Sequence, residues 1–454
     1  MLTLHLFKRL TGALLTLCAL NLYGSAAEPV SFRNEIAPLL LEHCMACHGP
    51  KKAEGGYRLD SFAQLSQAGD SGVAPLVVEG DHASELIRRL TTDDVGERMP
   101  AERAALPKEI IELIQRWQSE GSKFDGDEPA APIFDIVPDR VYPSPPEAYS
   151  TPIAVTAVAF SPDGKQVIAS GYHELTVWDA ATGVLARRIS NMPERIYALD
   201  WSADRMSVAV AGGSPGRIGE VRILDWQSGK VVRSLGRSSD VVQTVRYQAG
   251  GQRLATGHAD GTLRWFDSSD WHLIRSWASH ADSVTDLRWS HDGLRLASAS
   301  RDKTAKVFDV ESGELLATYS GHGEPVTGVC FNEDGNAVTS VGGDRKVHRW
   351  QIEGSKSLAK VDVPSPATRL HIIGAQGWLA LTGRTVAQFD LASTKLSRQF
   401  EGHSSWVTAL CTDPEAKHLL SGSLNGEVRL WKLEDGTCIH SWIAAPGFSK
   451  PVSN

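Results

Sequence analysis

Two thiols three positions apart, followed at once by an imidazole, occur in the run Cys44-Met45-Ala46-Cys47-His48. Cysteines at this spacing can reach the two vinyl groups of one porphyrin, and the next residue can swing beneath the metal as an axial ligand. The run predicts one haem c tethered through thioethers to Cys44 and Cys47, with His48 on the iron. A redox dithiol or half of a zinc site would also use C-x-x-C. Neither needs the trailing histidine, and no second C-x-x-C pair is present to complete a zinc tetrahedron.

The opposite iron position is assigned by elimination. Met45 lies inside the attachment loop and cannot reach the far face, which leaves Met99, in Arg98-Met99-Pro100, as the methionine candidate. His82 and His43 are the alternatives, as is an open position that takes small gases. A thioether opposite an imidazole raises the potential, and an iron with six filled positions has no place for substrate; such a centre moves electrons.

Short helices must position these groups. Phe32, Ile36, Leu39 and Leu40 recur at helical spacing and lead straight into the cysteines, so a first helix delivers Cys44 at its C-terminal end. Asp81 is the expected N-cap of a helix carrying Leu86, Ile87 and Leu90. Ile110, Leu113, Ile114 and Trp117 make an amphipathic helix after Pro107, with Gly121 behind it.

Lys8 and Arg9 precede an apolar run from Leu10 to Leu20, and Ser25-Ala26-Ala27 offers small residues for cleavage. Residues 1–27 thus read as a signal peptide, and the protein as periplasmic or otherwise exported. A bilayer span needs about 20 apolar residues, so this run is too short for a stable membrane span and none remains after signal removal. The cysteines left over, Cys330, Cys411 and Cys438, sit in strand patterns and read as buried free thiols. A chain of 454 residues with 42% hydrophobic content can bury more than one core, and a net charge of −8 leaves no basic face for nucleic acid.

With those residues in view, Phe32 to Ile36, CMACHGP from Cys44 to Pro50, GGYRLDS from Gly55 to Ser61, GDSG from Gly69 to Gly72, SELIRRL from Ser84 to Leu90 and Arg98-Met99-Pro100 together resemble the planctomycete-type cytochrome c domain. The resemblance implies haem c, attachment at Cys44 and Cys47, and ligation by His48 and Met99. The second proline usual after Met-Pro is Ala101 here. The domain is expected over 28–122 as a small all-α, class I-like cytochrome c fold. Recurrent prolines, among them Pro143, Pro145 and Pro146, mark a semi-rigid linker over 123–151.

From 152 to 446 the chain repeats, with residues 447–454 left as a C-terminal tail. An apolar slot recurs at Trp178, Leu224, Phe266, Phe308, Trp350, Phe389 and Trp431, at spacings of 46, 42, 42, 42, 39 and 42. Phe160, Trp201, Tyr247, Trp289, Phe331, Ile372 and Thr412 form a second slot at the end of each unit's first strand. A period near 42 residues with four short strands per unit is that of the WD40 blade, and seven units predict an all-β, seven-bladed propeller. Asp260, Asp302, Asp344 and Asn425 precede their slots by six residues and suit the turns between strands. The resemblance to WD40 repeats implies that His280, His322 and His403 bond to a Ser or Thr and to the turn acid. In blade five this set would be His322, Ser340, Asp344 and Trp350. Blades one, two and six depart from the pattern, and the unusual turns Gly171–Glu174 and Gly212–Val221 are expected to be a partner site.

The resulting expectation is a single-electron carrier, not an enzyme, whose propeller docks redox partners or peptides. A propeller-containing reductase of the nitrite or nitrous oxide type would need converging histidines. The propeller histidines fill brace slots or scatter without paired ligand spacing, so a second metal is not expected. A haem-based redox sensor or scaffold is the third possibility. The sequence names neither donor, acceptor nor ring ligand.

Overall fold

A computed structural model describes residues 28–49, 52–76, 84–391, 393 and 395–448. The expected leader, Asp81, His82 and most of the C-terminal tail lie outside these residues.

The N-terminal unit is helical. Ser31 caps its start, its hydroxyl accepting the Asn34 amide, and the chain runs through a wide turn, Phe32–Ile36, into the helix Ala37–His43. Cys44 is the hinge to one further turn, Met45–His48. A later helix, Glu85–Thr91, is capped by Ser84, whose hydroxyl accepts the Ile87 amide. The cap is therefore Ser84, not Asp81: a side chain at the position just before the first helical residue can reach the third amide, and one three residues earlier cannot. Lys108–Ser119 follows Pro107 as expected. Phe32, Ile36, Leu40, Leu59, Leu65, Ile114 and Trp117 are buried together as one core.

The expected linker corrects itself into two parts. Its first half belongs to the helical core: Phe124 packs on Phe62 at 4.8 Å, the Ile133 amide donates to the Asp60 carbonyl at 2.8 Å, and Ile133 and Val137 are buried. Its second half is strapped to the propeller. The Tyr142 amide donates to Asn191 Oδ1 at 2.8 Å, Arg188 donates to the Pro146 and Glu147 carbonyls, and the Tyr149 hydroxyl donates to Glu174 Oε1 at 2.5 Å.

Seven four-stranded antiparallel sheets follow, each built from consecutive strands over 158–189, 195–238, 242–278, 284–319, 326–362, 367–401 and 407–443. Every residue of the first slot lies on a third strand, and the second slot lies at or next to the end of each first strand. The side chains of the first slot are buried between neighbouring blades, where Trp350 and Trp431 are almost completely enclosed. Truncating such a residue to Ala removes about 3–5 kcal/mol.

Threonines on or just before the innermost strands stitch the ring. Thr285 donates to the Val326 carbonyl at 2.6 Å, Thr327 to Ala367 at 2.8 Å, Thr368 to Val407 at 2.5 Å, and Thr408 to Val155 at 2.6 Å; Thr156 donates to Ile196. The Thr408 bond, together with the Val155 amide donating to the Ser423 carbonyl at 3.0 Å, joins blade seven to the chain entering blade one, so the circle closes without strand exchange.

The brace in blade five forms as the WD40 resemblance implies. His322 Nδ1 is 2.9 Å from Asp344 Oδ2, His322 Nε2 is 2.8 Å from Ser340 Oγ, and Trp350 Nε1 donates to that hydroxyl at 3.1 Å. Blade four repeats it through His280, Asp302 and Ser298. In blade seven, Asn425 does not take the turn acid's place. Its carboxamide donates to Ser404 Oγ, and His403 Nδ1 lies 3.2 Å from Glu427 Oε2.

The unusual turns of blades one and two hold the chain's own strap, which corrects the expectation of a partner site there. Glu174, fully enclosed, pairs with Arg188 at 2.6 Å and accepts the Tyr149 hydroxyl. On the extended hairpin of blade two, Glu220 and Arg222 are 0% and 1% exposed and pair at 2.6 Å. The Arg222 guanidinium lies 4.5 Å over the Tyr142 ring and donates to the Arg140 carbonyl. Arg237 donates to the Val137 carbonyl and to Asp139.

Among the described residues every cysteine is free. Cys330 is buried, its thiol pushed up to about 12 by desolvation. Cys411 and Cys438 are only half-buried, a small departure from the expectation.

Candidate haem site

A cavity of about 500 Å³ opens in the helical unit. Cys44, His48 and Met99 all line it, with Tyr57, Leu59, Val73, Pro75, Leu86 and Leu90 among its other walls. Its size suits a bound organic group, and its lining is mainly apolar. Cys47 is exposed, and neither it nor His43 is among the lining residues. His82 lies outside the described residues.

Backbone bonds place each group. The Cys44 amide donates to the Leu40 carbonyl, and the Cys47 and His48 amides donate to the Cys44 carbonyl at 3.2 and 3.1 Å, so the three side chains leave one tight turn. The His48 carbonyl accepts the Leu59 amide at 2.8 Å, and His48 Nδ1 lies 3.3 Å from the Tyr57 carbonyl. A carbonyl can only accept, so Nδ1 carries the hydrogen and Nε2 is left bare for a metal. Tyr57 is fixed in turn by its hydroxyl, which donates to the Leu65 carbonyl at 3.0 Å.

The Met99 amide donates to the Arg89 carbonyl at 2.8 Å, which ties the loop to the end of the helix 85–91. The helix places Leu86, Arg89 and Leu90 on the cavity. Glu85, also at the cavity, is held at about 2 by its bond to Arg88, reinforced by Arg89 against the opposing effect of burial. The rim is thus charged and the interior apolar.

Desolvation, with Cys47 adding to it, pushes the Cys44 thiol up to about 12. A redox dithiol is activated by a lowered pKa. Cys44 is instead a neutral thiol beside an apolar cavity. The donor set is two thiols, one imidazole with a bare nitrogen, and one thioether, and these residues fit a covalently held haem. The groups that sequence alone does not reveal are Tyr57, whose carbonyl does the work, and Ser84; a serine just before Glu85 is the one local signal for the latter.

This geometry defines a helical unit whose cavity residues fit a haem. Residues 44–102 match the model of the family Planctomycete cytochrome C. Residues 147–179, 229–267, 271–309, 313–351 and 394–432 match the WD domain, G-beta repeat. The chain therefore joins a planctomycete-type cytochrome c domain to a seven-bladed WD40 propeller.

The curated relatives are WD-repeat proteins matched over short stretches. U3 small nucleolar RNA-associated protein 21 of Saccharomyces cerevisiae is 33% identical over 84 residues, 18% of this chain and 9% of its own length. Striatin of Homo sapiens is 38% identical over 61 residues, 13% of this chain and 8% of its own. Protein ANTHESIS POMOTING FACTOR 1 of Arabidopsis thaliana is 35% identical over 60 residues, 13% and 18% respectively. Each match thus spans less than a fifth of the relative. Among the described residues no helix is long and apolar enough to cross a membrane.

Proposed function

We propose that the protein is an exported c-type cytochrome that passes single electrons through one haem c. Thioethers to Cys44 and Cys47 hold the haem, His48 and Met99 ligate its iron, and the propeller serves as a docking scaffold for redox partners. The observation that supports this reading best is the convergence of Cys44, His48 and Met99 on one apolar cavity. The bound haem would supply a one-electron couple.

The protein's own residues set the conditions for that couple. The Tyr57 carbonyl orients His48, Leu59, Leu86 and Leu90 exclude water, and Met99 fills the last coordination position. With that position filled the domain carries electrons and does not itself bind a substrate at the metal, so no enzymatic step is assigned. Residues 1–27 have the composition of a secretory leader, consistent with maturation in an exported compartment.

The test is to produce the full chain in a host that matures c-type cytochromes. Intact mass should show one haem retained after denaturation, and absorption should show a low-spin centre that does not take up carbon monoxide. A protein with no covalent adduct overturns the assignment. A high-spin ferrous form that binds carbon monoxide instead supports sensing or catalysis.

A further inference from the structure

Blade five differs from blades three, four and seven two residues before the slot. That third-strand position carries Arg264 in blade three, Lys306 in blade four and Arg429 in blade seven. Each is a cation reaching an acceptor: Arg264 donates to the Arg237 carbonyl at 2.7 Å, Lys306 to the Ser279 carbonyl, and Arg429 to Glu427 Oε1 at 2.8 Å. Blade five has His348 there instead, 1% exposed.

The substitution brings a second imidazole onto the brace. His322 Nδ1 is 2.9 Å and His348 Nε2 is 3.0 Å from the same oxygen, Asp344 Oδ2. The two rings lie with centroids 3.8 Å apart and planes 32° from parallel. Although close to that oxygen, His348 Nε2 forms no hydrogen bond, because the carboxylate lies off the direction in which the nitrogen projects. A buried imidazole nitrogen without a bond is costly unless something else takes its lone pair.

The outer nitrogens are already held. His322 Nε2 sits 2.8 Å from Ser340 Oγ, and His348 Nδ1 sits 2.9 Å from the Tyr319 hydroxyl. Metal-binding histidines show this arrangement: the far nitrogen is fixed by a hydrogen-bonding partner while the near one faces the ion and a carboxylate. The inner atoms of His322, Asp344 and His348 all lie within 4.8 Å of one another.

We infer that His322, Asp344 and His348 form a binding site for one divalent transition-metal cation, with zinc(II) the ion whose ligand chemistry fits. Two imidazoles and one carboxylate are a three-ligand zinc set, and the fourth position falls to water on the side of Asp344, the member of the cluster with some exposure, at 10%. Binding requires both inner nitrogens to be bare. The hydrogens then sit on the outer nitrogens, where His322 donates to Ser340 and His348 to Tyr319, so each neutral ring keeps its single hydrogen and none is released. Lys360 opposes the ion electrostatically. Its ammonium is tied to the Gly321 carbonyl at 3.2 Å, and the Asp344 charge compensates it.

The site lies in the propeller, so its test is independent of the haem. Zinc(II) titrated by calorimetry into the chelator-treated full-length holoprotein should bind once per chain and raise the melting temperature. His348→Arg installs the side chain that blades three and seven carry at this position, so the fold and haem spectrum should be preserved. Zinc affinity should fall by more than about 100-fold, beyond the usual effect of losing an outer partner. Tyr319→Phe, which removes the hydroxyl holding His348, should weaken binding by about 10-fold. Failure of the parent to take up zinc saturably, or uptake that survives His348→Arg, overturns the inference.

Discussion

His48 Nδ1 lies 3.3 Å from the carbonyl oxygen of Tyr57. A main-chain acceptor cannot be removed by changing a side chain, so the bond keeps the hydrogen on Nδ1 and leaves Nε2 as the nitrogen available to a metal. The bare Nε2 and the thioether of Met99 line the same cavity, and each comes from a segment anchored by backbone bonds.

Met99→Ala should therefore open the far iron position without unfolding the domain, because Met99 is only partly buried against the core. The reduction potential should fall and external ligands such as carbon monoxide should bind. Spectroelectrochemistry checks this, and an unchanged spectrum and potential would assign the ligand to another residue.

Cys44→Ser and Cys47→Ser should each leave haem held by one thioether, and the double variant by none. Extraction of the denatured protein with acidified organic solvent measures the difference: the double variant should lose its haem, while the parent retains it.

The braces make the propeller sensitive to acid. Burial lowers the pKa of His280, His322 and His403 from 6.5, against the opposing pull of their acid partners. A group whose native pKa is lowered binds fewer protons in the folded state. Stability is then fully present above about 6.5 and is lost as the pH falls below it, by up to about 1.4 kcal/mol per pH unit for each imidazole. Urea midpoints measured from pH 7.5 down to 5 should decline, and His280→Gln should lower the midpoint at neutral pH while flattening the slope.

Glu220 neutralises Arg222 and faces Arg237 at 3.6 Å, all three within the interface with the strap. Glu220→Gln leaves buried guanidinium charge uncompensated, at a cost of about 3–5 kcal/mol. The strap should loosen. Limited proteolysis at residues 138–149 should accelerate well before the blades are cut.

The ring was legible because its signal is periodic. Slots such as Trp350 and Trp431 repeat at a fixed spacing, and the His322, Ser340 and Asp344 set has a fixed offset from them. Asn425 holds its turn as its register indicates, accepting the Ser423 hydroxyl, but His403 selects the carboxylate of Glu427, two residues on. The strap was read as a linker because apolar residues scattered among prolines carry no period. Phe124 and Ile133 find their places only through contacts with Phe62 and Asp60, far away in the chain. For the same reason His348 was an ordinary strand residue until folding put it beside His322. The stitching by Thr285, Thr327, Thr368 and Thr408 has no local signature either, since each acceptor lies on the next blade.

The strap has a mechanical outcome. With Arg222, Arg237 and Arg188 gripping its backbone, the cytochrome unit cannot swing on a tether to search for collisions. On the proposed function, a haem held there would keep one bearing relative to the propeller, and a partner exchanging electrons with it would have to approach along that bearing.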